Sequence, residues 1–302
     1  MRTVITAISV LTLFSAISGA QQAPPPAAPA APPTAKSVAP IDITGYWVAL
    51  ITEDWRWRML TPPKGDYASL PLNNEGRRVA DTWDLAKDEA AGLSCKPYGI
   101  GGIMRMPTRL HITWQDDRTL KVEFDAGTQT RLLHFGAKPA NVGPPSWQGY
   151  SAAEWQVAGQ ALNVDRNGVP QAGANQQAQG GNNFLLNGNG GGGGGQGRGG
   201  RGRGRGAPPV GGSLFVTTTN FREGYLRKNG VPYSAQANIT EYFDKVGPEP
   251  NGDVMLLVRT VVDDPKYLQL PFITSTHFKK EADGSKWSPS PCKIDPPAEQ
   301  GK

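Results

Sequence analysis

Residues 108–125 read TRLHITWQDDRTLKVEFD. Apolar and polar residues alternate on both sides of Gln115-Asp116-Asp117-Arg118. This is the period of two required by a strand that buries one face. Aspartate, whose side chain readily bonds nearby backbone in a turn, sits at the joint. Thr108–Trp114 and Thr119–Asp125 therefore read as the arms of a hairpin. The same pattern recurs outward in Thr44–Thr52 (TGYWVALIT), Glu53–Leu60 (EDWRWRML), Thr130–Phe135 and Ala153–Ala158. It continues in Ser213–Thr219, Ala237–Asp244, Val254–Val262 and Leu268–Lys279, with a strong turn signal at Asn251-Gly252-Asp253. About ten short, closely spaced strands predict a mainly β protein, folded as an antiparallel barrel or a strongly curved sheet.

One short helix interrupts this pattern. Asn73-Asn74-Glu75-Gly76 leads into RRVADTWDLAKDEAAG, with Ala80, Trp83, Ala86 and Ala90 on one side and Gly92 as the stop. Strand–helix alternation is missing, as is a Walker lysine, and both omissions argue against a nucleotide-binding α/β sheet.

The chain has 302 residues and a net charge of +5. That charge is too small to imply nucleic acid unless it is concentrated somewhere. Its 38 glycines and 27 prolines gather in two tracts. Residues 21–40, QQAPPPAAPAAPPTAKSVAP, form an extended Pro/Ala-rich linker. Residues 165–212 are glycine-rich with almost nothing to bury, and are expected to be a disordered insertion within one β domain made of residues 41–164 and 213–295. Residues 296–302 form a tail. Arg198, Arg201, Arg203 and Arg205 alternate with glycines in the insertion, a solvated loop with a polyanion or envelope surface as the alternative contact. Specific nucleic-acid binding is not expected.

The first 20 residues, MRTVITAISVLTLFSAISGA, carry a basic n-region, an apolar h-region and a small-residue cleavage site. They read as a signal peptide, which places the mature chain in the periplasm or outside the cell with no transmembrane segment. Cys95 and Cys292 are the only cysteines. In an oxidising compartment they are expected to form one disulfide, with two buried thiols as the alternative.

Gly45-Tyr46-Trp47 resembles the G-x-W opening strand of lipocalin-like (calycin) barrels. That likeness implies a closed barrel with the tryptophan packed across its base, and Arg259 in MLLVRTVV as the arginine stacked on it. The stretches TEDWRWRM, TPPKGDY, DAGTQTRLLHF, YLRKNGVPYS, VVDDPKYL and TSTHFKK resemble a group of uncharacterised secreted proteins of Gram-negative bacteria. This second resemblance implies an envelope setting and no particular chemistry.

Candidate binding residues come first from Glu53–Leu60. On a strand, Trp55, Trp57 and Met59 share one face and Arg56 and Arg58 the other. The rings make either core or a ligand platform, and inward-facing arginines would clamp a carboxylate or phosphate. Tyr225 lies in a basic, aromatic turn region that includes Asn229-Gly230. His111, His134 and His277 fall on expected strands without HxH or HExxH spacing, so no metal site or cofactor is expected. Asp116-Asp117 and Asp263-Asp264 read as turn residues rather than paired catalytic carboxylates.

The expected function is binding of a small apolar or amphipathic ligand. Trp55, Trp57, Met59 and Tyr225 would supply surface, and Arg56 or Arg131 would orient a polar end. The enzyme alternative is a cofactor-free isomerase, cyclase or hydrolase using His134 or His111 with a carboxylate. A third reading, an envelope structural or partner-binding protein, predicts a side-chain-filled barrel and an exposed aromatic patch.

Overall fold

The computed structural model describes residues 33–157 and 211–297. The signal segment, most of the Pro/Ala tract, nearly all of the Gly/Arg-rich insertion and the last residues lie outside the described part.

Eleven strands follow one another along the chain: β1 (Gly45–Leu50), β2 (Arg109–Asp116), β3 (Thr119–Phe124), β4 (Gln129–Phe135), β5 (Tyr150–Val157), β6 (Gly212–Thr219), β7 (Gly224–Arg227), β8 (Val231–Tyr233), β9 (Asn238–Val246), β10 (Met255–Asp263) and β11 (Phe272–Glu281). Nine of them close a barrel in the order β1-β11-β10-β9-β6-β5-β4-β3-β2, while β7 and β8 pair as a separate hairpin. The β2–β3 hairpin forms as its sequence implies, with Asp116 Oδ1 accepting from the Arg118 amide at 2.7 Å. β5 and β6 pair directly, from Tyr150↔Thr219 to Val157↔Gly212. The insertion therefore joins neighbouring strands, and both sequence blocks build one barrel.

Three expectations are corrected. The barrel is mixed rather than wholly antiparallel, because β4 and β5 run parallel through Leu133↔Ser151, His134↔Ala152 and Phe135↔Ala153. The connection over residues 136–149 is long enough to carry the chain back to the end where β4 began.

Second, Glu53–Leu60 is not a strand. Trp55–Met59 forms a single helical segment, α1, entered through Asp54 at φ 53°. Its alternation of rings and charges fits a strand, but the β1 ladder ends at Leu50, leaving this segment no partner. A helical turn instead carries the Arg58 guanidinium inward to Leu50 O (3.3 Å) and Arg105 O (3.2 Å).

Third, the single expected helix is two, α2 (Asn74–Ala80) and α3 (Leu85–Ala90). Asn73 caps the first by accepting from the Gly76 amide at 2.8 Å, and Asp84 caps the second by accepting from the Lys87 amide at 3.2 Å. The break between them turns Trp83 inward with Ala80, while Ala86 and Ala90 are exposed.

The lumen is occupied by side chains, as a barrel of this size allows. Trp47, Leu110, Ile112, Val122, Phe124, Phe243, Leu256 and Phe278 are all buried in one apolar cluster. Trp47 Nε1 donates to Ile43 O at 2.9 Å. Arg259 does not stack on Trp47. Its neighbours Val258 and Thr260 face inward, so Arg259 faces out and lies 4.5 Å over the Tyr242 ring. Inward positions run Ile239, Glu241, Phe243 along β9 and Val262, Thr260, Val258 along β10. A polar layer thus separates the main core from a second apolar cluster at one barrel end.

That second cluster joins Ile239 and Val262 to Leu72, Ile100, Leu226, Val231 and Tyr233. It lies under a cap built from residues 51–108, the β7–β8 hairpin and the turn at 264–271. Cys95 and Cys292 form the expected disulfide, with Cα atoms 5.1 Å apart and a sequence separation of 197. It fastens the segment after Ser290 to the cap: Tyr98 Oη donates to Lys293 O at 2.6 Å, and Ile294 packs on Trp83 and Tyr225. At the other end of the described chain, Trp155 Nε1 donates to Ala35 O at 2.8 Å, so attachment begins inside the Pro/Ala tract.

Candidate functional site

The expected site residues do not converge on one place. Arg131 is buried in the lumen, where it pairs with Glu241 and donates to Ser151 Oγ and Thr218 Oγ1, both at 2.9 Å. Trp55 and Met59 are exposed, at 59% and 49%. They sit four apart on α1, which puts them on one outer face. Arg56 also points outward and pairs with Asp66, whereas Arg58 is buried. Helical spacing separates these two arginines, so they do not form the joint clamp that a strand would present.

His111 stacks on Tyr46 with ring centroids 4.1 Å apart and contacts Glu123 at 3.2 Å. His134 stacks on Tyr150 at 4.9 Å. Burial holds the His134 imidazole below its ordinary range, partly offset by Asp116. Neither histidine lines any of the cavities described below. Among the described residues no three His, Cys, Asp or Glu side chains are placed to share a metal ion.

Tyr225 lies in a different setting, a cleft of about 260 Å³ in the cap. One wall comes from α2, the break after it and α3 (Val79, Trp83 and Asp88 in turn), and the other from the hairpin (Tyr225, Gly230, Tyr233) and Tyr267. A second, more open hollow of about 350 Å³ lies on the far side of Trp83 and Asp84, bordered by Pro63 and Leu85. The sequence pattern puts Trp83 on one side of a helix with Ala80 and assigns it to no site.

The hairpin turn fixes the shape of the cleft. Gly230 has φ 82°, and a Cβ there would come within 2.2 Å of the Trp83 ring. Only glycine meets both demands. The preceding Asn229 is buried and donates to Pro63 O and Asp66 O, each at 3.0 Å, which ties the turn to the chain leaving α1.

A compact polar cluster lines the same cleft. Tyr225 Oη donates to Asp88 Oδ2 at 2.7 Å, Lys96 Nζ lies 3.3 Å from the same hydroxyl, and Lys96 Nζ is 3.8 Å from Asp88 Oδ1. Burial, followed by the hydrogen bond to Asp88, pushes the Tyr225 phenol far above its ordinary value. It is thereby held as a neutral donor and does not serve as a base near neutral pH. Trp83 Nε1 is buried and has no hydrogen-bond partner. Such an orphan donor costs about 1–3 kcal/mol unless an acceptor reaches it. The arrangement combines aromatic walls, one fixed polar cluster and two buried, unpartnered groups, Trp83 Nε1 and Tyr233 Oη, which suits a molecule with an apolar body and a polar group.

A smaller cleft of about 10 Å³ lies beside α1, lined by Trp57, Arg58, Gly102, Arg105, Arg227 and neighbours. It thus contains Trp57, one of the expected site residues, but not Arg56.

Comparison with known protein families, curated proteins and solved structures gives no match to this chain.

Proposed function

We propose that this protein is an extracytoplasmic binding protein for a small amphipathic molecule, held in the Trp83–Tyr225 cleft of the cap and not in the lumen. The observation that carries the reading is an aromatic cleft of about 260 Å³ that holds the Tyr225–Asp88–Lys96 cluster and has Trp83, with its buried and unpartnered Nε1, in its wall. A ligand acceptor at that nitrogen would satisfy the buried donor, while Tyr225, Tyr233 and Tyr267 would cover an apolar body. The extracytoplasmic setting is supported by the leader-like first 20 residues and by a disulfide of the kind that persists in oxidising compartments. Among the described residues no helix is long and apolar enough to cross a membrane.

The test is native mass spectrometry of protein exported to a periplasm, beside its denatured, non-reduced mass. The expected result is an adduct that is released on denaturation and is lost from Trp83→Phe, which keeps a ring but removes the donor. A clean wild-type mass, or an adduct retained equally by Trp83→Phe, overturns the reading.

A second reading, partner binding through the outside of α1, is favoured by the filled lumen together with the exposed Trp55, Met59 and Leu60. Loss of partner capture in Trp55→Ser, with the fold intact, would support it.

A further inference from the structure

The small cleft beside α1 has an unusual charge composition. Arg58, Arg105, Arg227 and Lys228 all line it, and none of its lining residues is acidic. Nearby carboxylates answer only some of this charge. Glu53 Oε1 accepts from Arg58 Nη1 at 2.7 Å, and Asp54 Oδ2 accepts from Arg105 Nη2 at 2.6 Å. The third, Asp66, is engaged by Arg56 and by Trp57 Nε1 (3.1 Å).

Arg227 and Lys228 are left with neutral partners. Arg227 donates to Asp66 O (3.3 Å) and Ala68 O (3.0 Å), and its guanidinium lies 4.7 Å over the Trp57 ring. Lys228 donates to Met59 O at 3.1 Å. The more distant Asp295 is itself paired with Lys293 at 2.9 Å. Around α1, five cationic side chains thus face three carboxylates. Burial, and after it the neighbouring Arg105, pull the Arg227 guanidinium down to about 10. Burial lowers Arg58 as well, with Arg105 again opposing its charge.

One hydrogen-bonding position is also vacant. Arg58 Nη2 is buried and has no partner, although the rest of its guanidinium is fully engaged. The cleft offers about 10 Å³, close to the space taken by a single water-sized centre. Water would satisfy one N–H but would leave the surplus charge unanswered. A bulky oxyanion would not fit without moving the walls.

We propose that this cleft is a site for one monovalent, halide-sized anion, coordinated by Arg58 Nη2 and neutralised by Arg227 and Lys228. The anion would bridge α1, the Ile103–Arg105 turn and the β7–β8 hairpin, and so hold the cap together. This proposal stands independently of the ligand cleft at Trp83.

The test uses the full mature protein. Its thermal unfolding is followed in sodium chloride, bromide, phosphate and gluconate at equal ionic strength, and its crystals are soaked in bromide. The expected result is a saturable rise of roughly 3–6 °C in chloride or bromide over gluconate, at tenfold excess over Kd. Bromide anomalous density should appear within hydrogen-bond reach of Arg58 Nη2. Lys228→Met should lose most of the rise, and the bromide experiment on the wild type does not depend on that variant folding. Equal unfolding temperatures in all four salts overturn the proposal, with or without a bromide peak, because density alone means binding at crystal concentration only. A rise confined to phosphate overturns the assignment to a halide.

Discussion

In the lumen, Arg131 meets a single counter-charge, Glu241, and both side chains are fully buried. Ser151 and Thr218 supply further hydrogen bonds, and apolar layers close both sides. In the cap, four cationic side chains surround a cleft with two carboxylates to answer them, and a tryptophan donor beside another cleft has no acceptor. The lumen is close to balanced in charge, whereas the cap is not. The buried pair is neutral overall, yet Arg131 Nη1 and Glu241 Oε1 have no hydrogen-bond partner, so charge balance and not complete hydrogen bonding is what separates the lumen from the cap. The clefts that carry unbalanced groups lie in the cap and not in the barrel that supports it.

The strongest way to break this comparison is to unbalance the lumen. Arg131→Met strands Glu241 and is expected to cost about 3–5 kcal/mol in urea denaturation, while adding Glu241→Leu should recover most of the loss. If the double variant is as unstable as the single one, charge balance is not what the lumen depends on.

Removing the disulfide should separate the two regions. Cys95→Ser with Cys292→Ser is expected to cost about 2–4 kcal/mol by chain entropy. Faster hydrogen exchange should centre on Tyr98, Tyr225 and Ile294, with β2 and β3 still protected. Uniform acceleration across the barrel would contradict the view that the bond fastens the cap.

The smallest expected effect concerns His134, whose folded-state imidazole is held below 6.5 by burial. As pH falls through 6.5 the unfolded chain takes the proton first, so this contribution to stability is present at higher pH and lost on acidification. His134→Phe, which keeps a ring against Tyr150, should flatten the stability–pH curve just below 6.5. An unchanged slope would show that the histidine takes no part in it.

Much of the barrel was legible because strand periodicity is a local property. The strands built around Leu110–Ile112 and Leu120–Val122 follow directly from alternation, and Cys95–Cys292 follows from having only two cysteines. Glu53–Leu60 misled because five residues alternate equally well on paper whether or not a ladder partner exists. Arg131 was expected to orient a ligand's polar end, but it is buried in the lumen and paired with Glu241, 110 residues away on β9. Tyr225, expected to supply ligand surface, does line a cleft, but Asp88 and Lys96, its polar partners there, are 137 and 129 residues distant. Trp83 carried a helical burial signal, but nothing local showed that its ring nitrogen lacks an acceptor.

The amino-acid sequence by itself determined the β class, the approximate strand positions, the two low-complexity tracts and the single cysteine pairing. Each depends on short-range stereochemistry or on composition. Tertiary structure alone decided the parallel β4–β5 step, the helical turn at α1, the pairing of Arg131 with Glu241 and the clefts of the cap. These depend on which distant groups share a low-dielectric space, and that is set only when the barrel closes and the cap packs over its end.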